Sequence, residues 1–305
     1  MFFKKNAPTE DLLDDLNEHG PVYRFFASFG THFLKLTGLN LLFIVSNIPA
    51  MLLAFVYCLF FLPSINDVFI PENFVKYVSD IGLVGNSAIN DVGTDAGYQL
   101  YYLIVVFCVM FLLGSTLICI GPFQSGFATI YRNIARNRGV FFFSDIKDGI
   151  KENWKQSTIH MLISLAATAL LLMGIAFYSN HFGRMGTAIS VLFTMLLMFW
   201  IAISNFVHYL IVCIDLPLKK IYRNAFLFFL IKLIPCMGLI FLTAVLLLAV
   251  PCILLLTTTY FAYAIAVFYY LMIVFCFIQY AYAFMANEMV NGYMLAKNPE
   301  ESEEE

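Results

Sequence analysis

LTGLNLLFIVSNIPAMLLAFVYCLFFL, residues 36–62, carries no charged side chain from end to end. A helix rises about 1.5 Å per residue, so about 20 apolar residues cross the hydrocarbon of a bilayer. This run is long enough to cross with a tilt. It starts too late and runs too long for the apolar core of a secretory signal, so it reads as a first membrane span. Within it Asn47 precedes Pro49, which removes a backbone donor and should kink the helix.

The same reading gives further spans near 99–120, 158–178, 185–212, 228–256 and 260–284. The last two runs are nearly continuous and are divided at Thr257-Thr258-Thr259. Composition agrees: 61% of the chain is hydrophobic and 12% charged, with 33 Phe and 17 Tyr. So few charges cannot cover a water-soluble surface of this size. The fold class expected is an all-α membrane protein of six transmembrane helices. Its transmembrane domain covers 20–290, after an acidic segment at 1–19 and before an acidic tail at 291–305.

Orientation is read from Lys and Arg. Of the 17 basic residues, only Lys76 and Arg184 fall on the side opposite the rest. The basic side is expected in the cytoplasm, with both termini inside and residues 63–98 forming the one large outer loop. Tyr98, Tyr101 and Tyr102 are expected to line the outer interface. The seven cysteines all lie in apolar runs without a C-x-x-C pair, which suits packing better than disulfides or zinc.

Three amphipathic segments recur, each just before an outgoing span. The first carries Val22, Phe25, Phe26, Phe29 and Phe33 on one face, with Arg24 and Lys35 on the other. The second carries Phe143, Ile146, Ile150 and Trp154 beside a stripe of Lys147, Lys151 and Lys155. The third opens at Pro217 and sets Leu218, Ile221 and Tyr222 against Lys219, Lys220 and Arg223. An apolar face with a basic face suits an interfacial helix. The pattern therefore predicts three repeats of elbow helix plus helical hairpin, with Phe25, Phe29, Ile150, Trp154, Lys219 and Arg223 at the lipid interface.

For chemistry the chain offers little. It has no Walker A, H-E-x-x-H, G-x-S-x-G or G-x-G-x-x-G sequence. Asp91-Val92-Gly93-Thr94-Asp95 is too short of acids for a calcium loop of the EF-hand type and reads as a surface loop. Polar residues inside spans are costly and so worth attention. Asn47, Gln124, Ser204, Asn205, His208 and Gln279 form the candidate intramembrane cluster. They could line a polar cavity open to the basic side or glue helices by hydrogen bonds; amides, hydroxyls and one histidine suit the second role better. His32 and His160 are placed at the interfaces. No cofactor, metal or catalytic residue is assigned, and the chain is expected not to be an enzyme or to bind nucleic acid.

Residues 39–50, LNLLFIVSNIPA, resemble the first span of YesL-like proteins, a group of bacterial integral membrane proteins of unassigned activity. Gly121-Pro122 with Tyr131-Arg132-Asn133 is similar to their second-span exit. Phe143-Ser144-Asp145 through Glu152-Asn153-Trp154-Lys155-Gln156 is similar to the cytoplasmic helix that follows. The resemblance runs over about residues 20–290. It implies a bacterial plasma-membrane protein that serves carbohydrate uptake, with an ABC permease, its ATPase and an extracellular solute-binding protein as partners besides the lipid bilayer. The chain itself lacks a nucleotide site and the E-A-A-x-x-x-G phrase of importer permeases. An independent small-solute carrier or channel, with a polar site near Asn47, Asn205 and His208, is the alternative.

Overall fold

The computed structural model describes residues 20–82, 91–256 and 260–295. Every regular element among them is helical. Six helices are long and apolar enough to cross a membrane: Ile48–Ile65, Asp95–Gly114, Phe142–Asn180, Gly183–Cys213, Leu233–Leu254 and Ala264–Tyr293. The chain is thus a multi-pass helical membrane protein. Residues 1–19, the break at 257–259 and the tail beyond 295 lie outside the described residues, as do the readings made of them.

The first helix, α1 (Pro21–Thr31), turns at His32 into α2 (Phe33–Ser46), the two bent by 77°. The chain breaks again at Asn47 before α3 (Ile48–Ile65). Pro49 sits in the first turn of α3, where its missing N–H costs nothing. The expected kink is therefore a full break, and the first apolar run is two helices. A short 3₁₀ turn (Asp67–Phe69) and α4 (Pro71–Asp80) follow. Then come α5 (Asp91–Gly114) and α6 (Gly121–Ala135). Asp91–Asp95 opens α5 and is not a loop. Tyr101 is buried against Phe74 of α4, at 5.7 Å between ring centroids, and only Tyr102 of the expected belt is well exposed.

α7 (Phe142–Asn180) and α8 (Gly183–Cys213) form a long hairpin, turned through Phe182 and Gly183 at positive φ. α7 runs for 39 residues without a break, about 58 Å at the helical rise. The second elbow is therefore not a separate helix. Residues 154–160 hold no Pro or Gly to interrupt it. The third elbow is separate: α9 (Leu218–Ile231) stops at Lys232 before α10 (Leu233–Ala244). Pro235 removes the N–H that would bond to Ile231 and so ends the regular pairing there. The threefold pattern is broken at its middle member.

α10 widens into a π turn (Val245–Ala249) and resumes as α11 (Val250–Leu256); α12 (Tyr260–Met272) and α13 (Val274–Val290) follow. α6 lies at the centre, packed on α7, α8 and α13. Small residues allow it: a Cβ on Gly121 would strike the Ser157 carbonyl, and one on Gly149 would strike the Thr129 hydroxyl. Close backbone approach of this kind is how helices pair where lipid supplies no hydrophobic drive.

α1 is a separate helix bent from α2, with Phe25 half-buried and Phe29 buried against protein. Both rings pack on Phe277 and Tyr280 of α13: Phe25 stacks on Tyr280, both meet Phe277 edge-on, and Phe29 is tilted on Tyr280. Aromatic packing on the last helix takes that stripe, leaving Val22, Phe26 and Phe33 as the exposed apolar face. In the second segment Ile146 is buried and Ile150 half-buried, while Trp154 is 50% exposed. Arg24 pairs with Glu288 at 2.6 Å, so α1 and the end of α13 share one end of the bundle. Arg132 bonds the Val212 carbonyl and Arg136 bonds Asn287, joining α6 and α8 at that same end.

Candidate functional site

After Gly114 the chain leaves helix for residues 115–120, with Thr116 at positive φ. Ser115, Thr116, Leu117, Ile118 and Cys119 are all buried. Irregular backbone in a membrane interior must find its partners within the protein. Here it does. The Ser115 carbonyl accepts from Asn205 Nδ2 at 3.0 Å, and the Leu117 carbonyl from Ser164 Oγ at 3.0 Å. Ile120 N–H donates to Asn47 Oδ1 at 2.8 Å, while Asn47 Nδ2 donates to the Phe43 carbonyl at 2.8 Å. A short amide carries one donor face and one acceptor face. It can replace the peptide group missing at each break.

Asn40 does the same for the break between α12 and α13 at Ile273. Its Oδ1 accepts from Cys276 N–H at 3.0 Å, and its Nδ2 donates to the carbonyls of Tyr270 at 2.8 Å and Leu271 at 2.7 Å. The π turn is closed likewise. Pro251 cannot donate to the Leu247 carbonyl, and Tyr270 Oη donates to it instead at 2.5 Å, with Tyr269 Oη on Leu246 at 3.0 Å.

One turn nearer the basic end, α6, α8 and α13 enclose a cavity with room for about one water molecule. Gln124, Ala128 and Tyr131 line it from α6, Asn205, His208 and Tyr209 from α8, and Gln279 and Ala283 from α13. Gln124 Nε2 donates to Gln279 Oε1 at 3.0 Å. Tyr209 Oη donates at 3.0 Å to Asn287 Oδ1, which also takes Arg136 Nε–H at 3.2 Å. That clasp joins the cavity through Tyr209.

Beside it lie two histidines with ring centroids 4.3 Å apart. His160 Nδ1 is 2.6 Å from Tyr222 Oη, and its Nε2 is 3.3 Å from Ser204 Oγ. The Tyr222 hydroxyl and His160 Nδ1 share one hydrogen bond. His208 Nε2 is 3.5 Å from Cys119 Sγ. No carboxylate lines the cavity, and among the described residues no three His, Cys, Asp or Glu are grouped to hold a metal ion. The chemistry available is hydrogen bonding between neutral groups.

Of the expected cluster, Gln124, Asn205, His208 and Gln279 come together at the cavity. Ser204 faces His160 instead, and Asn47 serves the irregular segment. Asn40, Tyr131 and His160 belong to this polar interior and were not expected there. His160, expected at an interface, is fully buried within the protein. Ser157, His160, Ser164 and Thr168 make a buried polar stripe at helical spacing along α7, and that spacing is the signal that could have found it. Asn40 lies two turns before Asn47, on the same face.

No curated protein and no solved structure matches the chain. Residues 100–175, which run from α5 through the irregular segment and α6 into α7, match the family model described as a protein of unknown function, DUF624.

Proposed function

We propose that the protein is a non-enzymatic membrane subunit that works by contact, associated with a carbohydrate ABC importer in a bacterial plasma membrane. The observation that carries the contact reading is the fate of the buried polar groups. Asn40, Asn47 and Asn205 are bound to backbone at helix breaks; outside that interior, the half-buried Glu288 is held by Arg24. These groups hold helices together and leave little acid or base for chemistry. The match over 100–175 supports the YesL-like resemblance, and the importer setting rests on what that resemblance implies. The basic end faces the cytoplasm in this reading, with Lys219 and Arg223 on the third elbow beside anionic headgroups.

The cavity at Asn205 and His208 favours a second reading, an independent carrier of small solutes. Its volume of about one water argues against this in the conformation described. Affinity purification of the full chain from native membranes separates the two. A permease and ATPase recovered at fixed ratio supports the subunit. Solute flux in liposomes holding this chain alone supports the carrier. Orientation is tested by membrane-impermeant labelling of single cysteines at 80 and 136. Position 136 labelled from outside would overturn the topology.

A further inference from the structure

We propose that the cavity between α6, α8 and α13 is a binding site for one water molecule, which completes the polar interior as a structural ligand. Four buried side-chain atoms of its lining residues have no hydrogen-bond partner among the described residues: Gln124 Oε1, Tyr131 Oη, His208 Nδ1 and Gln279 Nε2. Buried polar atoms left unmatched are rare in folded proteins, and several around one cavity point to a shared partner.

The set is complementary to water in number and in kind. Gln124 Oε1 can only accept. Gln279 Nε2, an amide nitrogen, can only donate, and the Oε1 of the same residue already takes the Gln124 amide. Tyr131 Oη can donate, and a neutral imidazole Nδ1 can accept. That makes two donors and two acceptors, and one water offers the converse two and two. A cation would meet the Gln279 N–H and find no carboxylate. An anion would meet Gln124 Oε1 and find no charged donor in the lining. A solute larger than water does not fit the volume. Water it is, donating to Gln124 and His208 and accepting from Gln279 and Tyr131.

The assignment fixes a proton. With Nδ1 accepting from water, neutral His208 must carry hydrogen on Nε2, where it points at Cys119 Sγ. His208 then takes its tautomer from the cavity, whereas His160 has partners of its own in Tyr222 and Ser204. The two neighbouring rings should respond separately to substitution.

The test is nitrogen-15 NMR of histidine-labelled full-length protein in liposomes, with a density map good enough to show ordered water. The wild type should give His208 neutral with hydrogen on Nε2, and one solvent peak within hydrogen-bond reach of the four atoms. Tyr222→Phe should disturb the His160 signal and leave His208 unchanged. Ala283→Val, which puts methyl groups into the cavity, should remove the peak and shift His208 while His160 holds. A His208 proton on Nδ1 would overturn the proposal. So would a cavity without density in a map that shows other buried waters. If Ala283→Val fails to fold, the wild-type tautomer and density still decide.

Discussion

Asn40 shows how much one amide can do where water is absent. It bonds the Cys276 N–H and two carbonyls across a break in a helix far away in sequence. Replacing it strands those groups in the interior, at about 1–3 kcal/mol for each buried group left unmatched. Asn40→Ala should therefore lower the unfolding temperature in detergent by several degrees. Thr37→Val on the same helix should change it little, since the Thr37 hydroxyl has no partner among the described residues. Equal losses from the two variants would contradict this role for Asn40. The sequence marks Asn47, because Pro49 announces a break beside it. It does not mark Asn40 so plainly, because the break it repairs, at Ile273, carries no proline or glycine. His208 is legible as an intramembrane polar residue. Its partner His160 is hidden by its place close to a charged segment.

Among the elements, α10 and α11 show a proline defect repaired by a neighbour. Pro251 frees the Leu247 carbonyl, and Tyr270 takes it. Tyr270→Phe should cost about 1 kcal/mol in the native protein. In a Pro251→Ala background the residue's own N–H can serve Leu247, and the same change should cost distinctly less. A double-mutant cycle in chemical unfolding reads the coupling, and additive effects would mean that Tyr270 serves another end. Both prolines of this region are plain in the sequence; the tyrosine that answers Pro251 is not, since pairing across a hairpin depends on register. The elbows teach the converse. Amphipathic spacing marks three segments, of which only the first and third are helices of their own, and it does not say whether the apolar stripe meets lipid or protein. Phe25 and Phe29 meet α13 because aromatic rings wait there. Trp154 is exposed on a helix about 58 Å long, more than the roughly 45 Å of a whole bilayer. In a Trp200→Phe background, Trp154 fluorescence should be quenched by lipids brominated near the headgroup. Emission unaffected by any brominated lipid would take that segment out of the interface.

For the whole molecule, hydropathy alone delivers the class of fold and six spans, because lipid leaves a crossing chain few choices. It also places one basic end, which the contacts of Arg24, Arg132 and Arg136 bring together. What it does not deliver is the central place of α6. That helix is short and polar enough to resemble a surface loop, yet it packs on three others through glycines and hydroxyls. We propose that this interior builds a scaffold and that the protein acts through surfaces it presents to partners. The sharpest measurement pairs sugar uptake by cells with recovery of importer subunits on the tagged protein, for His208→Ala and for a chain whose residues 63–98 are replaced by a short linker. His208→Ala should keep both uptake and recovery near the native level, while the linker chain should lose recovery and uptake together. Uptake abolished by His208→Ala, with expression and recovery normal, would contradict that proposal and make the polar interior the working site.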